Sequence, residues 1–185
     1  DILIVAGGPH PNLMKKEVAE YTRAFDYVCF GDGEVVIPRL LEAHERHGRP
    51  GTEPPGAPTG PWPLPGVIYW QDDEVVVGPE PQAIEDLDTL PLPARELVDM
   101  YRYRPSIGHF RQEPCTTMIM SRGCPHHCTF CVAADDFRQR SPADALAEVD
   151  HLVQRWGIRD ILFYDEDLPR NRDFMVAFCE GLIDR

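Results

Sequence analysis

Three of the six cysteines lie in one short run, Ser121-Arg-Gly-Cys124-Pro-His-His-Cys128-Thr-Phe-Cys131, a C-x3-C-x2-C spacing directly after a strand-like segment. Thiolate is the usual ligand of iron–sulfur clusters, and three thiolates on one short loop can converge on one cluster. A [4Fe–4S] cluster has four irons, so three cysteines leave one iron open to bind something else. An open metal position marks a catalytic rather than a purely structural site, the logic known for zinc. Phe130 stands just before the last cysteine and completes the pattern. The same run leaves a zinc site open, with two of the cysteines joined by His126 or His127. A disulfide framework does not suit an acidic chain with no secretion signal in view.

Other residue patterns carry weaker signals. Cys29 falls inside a strand-like run, Cys179 on a helix face and Cys115 just before a strand, so all three read as structural residues. Gly7-Gly8-Pro9-His10 follows an apolar run and precedes a helical one. Glycines there let a ligand approach the backbone, and a following helix start favours anions. The run does not make a G-x-G-x-x-G fingerprint, so a dinucleotide site is not supported. His10, between two prolines, reads as a turn or capping residue. Asp165-Glu166-Asp167 ends another strand-like run, Ile161–Tyr164, with three carboxylates.

The elements that must position these residues follow from periodicity. Ile2–Val5 is continuously apolar, as in a parallel strand buried on both faces. Met14, Val18, Tyr21 and Phe25 recur with helical spacing. Tyr27–Phe30 predicts a second strand, and Val36, Ile37, Leu40, Leu41 and His44 a second helix, with Pro38 tolerable only in its first turn. Pro50–Pro65 holds seven prolines and three glycines and predicts a linker or surface loop. Gly66–Trp70 and Glu74–Gly78 predict a hairpin around Gln71-Asp72-Asp73, and Ile84–Arg95 a strap. Thr116–Ser121 predicts a strand. Ser141 then caps a helix with Pro142 at its first position, and Gly157 ends it. Its apolar face is Leu146, Val149, Leu152, Val153 and Trp156. After the strand Ile161–Tyr164, Asn171 caps a helix carrying Phe174, Ala177, Phe178 and Leu182. Strands alternating with helices argue for α/β layers.

Composition bounds the rest. The chain has 185 residues, 43% hydrophobic and 26% charged, which is ordinary for a globular protein. No apolar run reaches the roughly 18 residues of a membrane span. The net charge of −13 disfavours non-specific binding to nucleic acid or an anionic membrane. The chain opens at Asp1 inside an apolar run and closes within a helical pattern, so it reads as an internal piece of a longer protein.

Ser121–Cys131 resembles the C-x3-C-x-aromatic-C signature of the radical S-adenosylmethionine superfamily. The resemblance implies that Cys124, Cys128 and Cys131 hold a [4Fe–4S] cluster whose fourth iron chelates S-adenosylmethionine. Reductive cleavage then gives a 5′-deoxyadenosyl radical, and the fold is a (β/α) barrel with the cluster loop after its first strand. It further implies that groups at the end of the second strand meet the methionine amino group. The chain lacks the Gly-Gly-Glu common there; its Phe163-Tyr-Asp165-Glu166 resembles the Asp-rich version of cobalamin-linked members. Asp165 and Glu166 are thus expected ligand contacts, with Phe130 beside the cluster. The order of the glycine turn, Gly31-Asp32-Gly33-Glu34, the hairpin, Leu87–Arg95 and the cysteine loop is similar to the cobalamin-binding class. There an N-terminal Rossmann-like domain holds cobalamin, which Gly7 and Gly8 would line.

The expected organisation is residues 1–48 as the end of a Rossmann-like, parallel-sheet cobalamin domain and 49–112 as proline-rich loop, hairpin and linker. Residues 113–185 are then the first βα units of a partial barrel. The resemblance implies a cytoplasmic enzyme with a small-molecule substrate, an external electron donor such as flavodoxin or ferredoxin, and no nucleic-acid or membrane partner. The expected reaction is methyl transfer to an unactivated centre. Radical cyclisation or oxidation without methylation, or a non-catalytic iron–sulfur or zinc module, are the alternatives.

Overall fold

A computed structural model describes residues 2–50, 60–102, 110–131 and 137–185. Most of the proline-rich stretch, at 51–59, lies outside the described residues. The chain separates into two compact units, Asp1–Ile84 and Glu85–Arg185. The segment read as loop, hairpin and linker is therefore shared between them.

The first unit runs β1 (Val5–Ala6), α1 (Pro9–Met14), α2 (Lys16–Tyr21), β2 (Tyr27–Cys29), α3 (Gly33–His47), β3 (Val67–Gln71) and β4 (Glu74–Val77). Its sheet has the order β1-β2-β3-β4. The β1–β2 pair is parallel, while β2–β3 and β3–β4 are antiparallel. The sheet is therefore mixed rather than wholly parallel. The hairpin adds to the edge of β2 in the antiparallel sense, and its own two strands are joined by the two-residue turn at Asp72 and Asp73, both with positive φ (47° and 65°). Such a turn matches strand twist and joins only antiparallel neighbours.

Side chains alternate across this sheet. Tyr27, Cys29, Val67 and Tyr69 pack on one face with Val36, Leu40 and Ala43 of α3. Val28, Phe30 and Ile68 pack on the other with Val18 and Ala19 of α2. Cover on both faces explains why these strands read as continuous apolar runs.

Several expectations for this unit need correction. The first strand is Val5–Ala6, not Ile2–Val5, and Ile2 and Ile4 are exposed. The helical run from Met14 to Phe25 is broken at Lys15, whose φ is 42°, and ends at Tyr21. That break turns Val18 and Ala19 to the sheet and leaves Tyr21 91% exposed. In α3, Pro38 sits at the sixth position, beyond the first turn, and Leu41 faces outward.

The second unit contains β5 (Cys115–Met118), β6 (Ser121–Arg122), β7 (Arg138–Gln139), α4 (Pro142–Trp156), β8 (Asp160–Phe163) and α5 (Arg172–Ile183). β5 and β8 pair in parallel from Cys115↔Asp160 to Met118↔Phe163, with α4 as the crossover. β6 and β7 form a short antiparallel pair. The predicted strand Thr116–Ser121 is thus two pieces with different partners. Local signals set the helix ends as expected. Ser141 Oγ accepts from Asp144 N at 3.1 Å, Pro142 opens α4, and Gly157 closes it with φ 62°. Asn171 Oδ1 accepts from Phe174 N at 3.1 Å to start α5.

The core joins Met118, Met120, Leu146, Val149, Leu152, Ile158, Phe174 and Phe178. Val153 is half exposed, and Ala177, Leu182 and Cys179 are exposed, so both helix faces are narrower than the sequence pattern. Cys179 is a surface thiol rather than a core residue. Cys29 and Cys115 are buried, and burial pushes the Cys29 thiol up to about 11. Among the described residues no helix is long and apolar enough to cross a membrane.

Candidate metal and cofactor site

The cysteine loop leaves β6 through Gly123, whose φ of 78° is costly for any residue with a Cβ. Cys124 is buried, whereas Cys128 and Cys131 are exposed on a turn closed by Cys131 N donating to Cys128 O at 3.0 Å. One thiol is thus anchored in protein and two face outward from the same loop. Phe130 between them is 89% exposed.

The chain ahead of this loop is held from two sides. From β8, Asp165 Oδ1 accepts from Met120 N at 2.9 Å and from the buried Ser121 hydroxyl at 2.6 Å. Its Oδ2 is also buried and has no hydrogen-bond partner among the described residues. From α4, Glu148 is 2% exposed and binds the Arg140 guanidinium, which also donates to Asp144 Oδ2 at 2.6 Å and to Ile119 O at 3.3 Å. Burial works against the Arg140 charge, but the hydrogen bonds to Glu148 and Asp144 outweigh it and hold the group above its ordinary value. Arg95 Nη1 makes an ion contact with Glu148 at 2.7 Å, and Arg95 Nη2 donates to Thr117 O at 3.1 Å. The strap around Arg95 is thereby tied to β5. The sequence marks the Glu148–Arg140 pair only by a carboxylate inside the stripe Ala145, Glu148, Leu152.

The three carboxylates after β8 are not equivalent. Asp165 turns inward onto the β5–β6 junction, Glu166 is exposed, and Asp167 Oδ2 lies 3.2 Å from His126 Nε2. The Cys124 sulfur, a His126 ring nitrogen and an Asp167 oxygen all lie within 4.8 Å of one another. The group that converges on Cys124 is therefore one cysteine, one histidine and one carboxylate.

In the first unit, Gly8 (φ 99°) is the residue before α1, and Gly7 precedes it. A Cβ added at Gly8 would meet nothing within 4 Å, and one at Gly7 only the Cys29 carbonyl at 3.9 Å. This turn presents bare backbone. Asn12 Oδ1 accepts from Gly31 N at 2.8 Å and ties it to the turn after β2. His10 is exposed on the six-residue α1.

No family model matches the chain. Over 190 residues it is 28% identical to an anaerobic magnesium-protoporphyrin IX monomethyl ester cyclase from Cereibacter sphaeroides, covering 99% of this chain and 28% of that protein. Over 128 residues it is 32% identical to a hopanoid C-3 methylase from Methylococcus capsulatus, covering 69% of this chain and 21% of that one. Its fold matches the radical S-adenosylmethionine methyltransferase TsrM from Kitasatospora setae, solved with cobalamin and a [4Fe–4S] cluster bound. The TM-score is 0.58 at 21% identity, over 100% of this chain and 34% of that one. The chain thus spans about a third or less of the proteins it matches. With the three-cysteine loop after a barrel-type strand and matches along its whole length, the chain is similar in sequence to these enzymes and in fold to the cobalamin-dependent radical S-adenosylmethionine enzymes.

Proposed function

We propose that the protein is a cobalamin-dependent radical S-adenosylmethionine enzyme that transfers a methyl group to an unactivated centre. The observation that carries this reading is a donor set divided by burial. Cys124, Cys128 and Cys131 offer three thiols from one loop, and Asp165 beside it keeps a buried oxygen without a partner among the described residues. Cysteines in this number suit a four-iron cluster with one open iron, since an electron carrier closes its cluster with four protein ligands. When bound there, the cluster supplies the electron that reductively cleaves the sulfonium of S-adenosylmethionine.

The chain's own residues bind and orient. The three thiolates anchor the metal. Asp165 holds the loop's entry through Oδ1 and offers Oδ2 to the ammonium of the methionine moiety. An unpaired buried carboxylate oxygen costs free energy until a donor reaches it, so the same atom favours a bound cation. Phe130 stands at the rim, where the exposed Glu166 is at most a weak contact beside Asp165. Gly7 and Gly8 give cobalamin backbone without side chains in the way. Strand ends of this kind are where parallel barrels carry their chemistry. A small-molecule substrate, a flavodoxin- or ferredoxin-type electron donor and a cytoplasmic setting complete the proposal.

A second reading, radical cyclisation, is favoured by the cyclase relative, which matches along 99% of the chain. Anaerobic reconstitution of the full-length protein with iron and sulfide tests the common core. About four irons per chain and an EPR signal that changes on adding S-adenosylmethionine are expected. A signal indifferent to S-adenosylmethionine, or no cluster in metal-free protein under any reconstitution with iron and sulfide, overturns it. A methylated product distinguishes the first reading from the second.

A further inference from the structure

The loop that holds the cysteines also builds a second, smaller constellation. Cys124 Sγ, a ring nitrogen of His126 and a carboxylate oxygen of Asp167 sit mutually within 4.8 Å. Among the described residues this is the group of three sulfur, nitrogen and oxygen donors that comes so close. Two ligands about 2.1 Å from one tetrahedral ion lie roughly 3.4 Å apart. The 3.2 Å between His126 Nε2 and Asp167 Oδ2 is near that spacing. Parallel pairing of β5 with β8 brings Asp167 to the loop, and the two ligands from the loop are separated by Pro125 alone.

We propose that Cys124, His126 and Asp167 form a mononuclear site for a zinc-class divalent ion, and that this ion and the iron–sulfur cluster compete for the Cys124 thiolate. One thiolate, one imidazole and one carboxylate form a mixed donor set that suits zinc or cobalt and leaves a fourth position for water. Cys124 is buried, while the His126 side chain is 60% exposed, so an ion enters from solvent and ends against the protein. Asp167 gives up little, because its ion pair to Arg170, at 3.5 Å, is partly exposed and weak. Cys128 and Cys131 belong to the cluster but not to this group. The ion-binding half of the proposal is independent of the enzymatic reading; the competition half rests on it.

The two halves separate in one set of experiments on the full-length protein, purified without cluster and kept anaerobic. Titrated Co2+ is expected to bind one per chain with a thiolate-to-cobalt absorption band and tetrahedral visible bands. His126→Gln and Asp167→Asn should each weaken Co2+ at least about tenfold. The double variant Cys128→Ser/Cys131→Ser should bind Co2+ as the parent does. Loss of Co2+ in that double variant, with binding intact in His126→Gln and Asp167→Asn, overturns the site. One equivalent of Zn2+ added before iron and sulfide should lower cluster loading in the parent and much less in Asp167→Asn. Unchanged loading in the parent overturns the competition. Co2+ binding with no cluster under any treatment sinks the enzymatic reading and leaves this site standing.

Discussion

The loop after β1 and the loop after β6 both leave the end of a strand, yet they expose different material. At Gly7 and Gly8 the first unit shows backbone, with open space where side chains would stand. From Gly123 to Cys131 the second unit shows thiols, an imidazole and an aromatic ring, and holds the entry with Asp165 and Arg140. A bare turn accepts a ligand by shape and commits to little chemistry. A loop of soft donors commits to a metal and needs firm support, because ligand positions must hold within fractions of an ångström. The first loop is therefore probed by adding a methyl group, the second by exchanging single atoms.

The largest effect belongs to the thiols. Cys124→Ser, Cys128→Ser or Cys131→Ser should abolish the reconstituted iron, while Cys179→Ser, on an exposed thiol, should retain it. Iron and sulfide analysis reads the outcome, and iron retained in any of the first three breaks the contrast between the loops. The next effect tests the support. Leu152→Ala in the core should cost about 2–5 kcal/mol in denaturant unfolding. Val153→Ala, on the adjacent half-exposed position, should stay within about 0.5 kcal/mol. Similar losses at both positions would mean that α4 does not pack by the face described.

A smaller effect separates the neighbouring carboxylates. Asp165→Asn should weaken S-adenosylmethionine by about ten- to a hundredfold, the worth of a lost charged hydrogen bond of roughly 1.5–3 kcal/mol. Exposed Glu166→Gln should change it little. Titration followed by EPR decides, and equal behaviour would reduce Asp165 to a strut for Met120 and Ser121. The smallest effect sharpens the bare turn. Gly8→Ala should cost about 1 kcal/mol in stability, because φ 99° disfavours a Cβ. Gly7→Ala should leave the melting temperature unchanged yet lower cobalamin retained after gel filtration. Full retention in Gly7→Ala would show that the ligand does not approach there.

Much of this could be read before any coordinates. The cysteine spacing is local chemistry, and Ser141, Pro142, Gly157 and Asn171 act within a single turn, so their roles follow from neighbours in sequence. Outward-facing positions were harder. Tyr21, Val153 and Cys179 sit where helical periodicity alone would bury them, and a break at Lys15 or a narrower contact face leaves them in water. The hairpin was legible as a hairpin, but its pairing with β2, which makes the sheet mixed, depends on a distant strand edge.

Residue type and spacing by themselves determined that three thiols share one loop, that acidic groups end the following strand, where α4 starts and stops, and where α5 starts. Only the tertiary structure decided which acidic group does what. The β5–β8 pairing carries Asp165 onto Met120 and Ser121, leaves Glu166 in solvent and delivers Asp167 to His126. Local signals are settled by bonds that span three or four residues. A carboxylate's partner some forty residues away is settled by strand register, which no local pattern encodes.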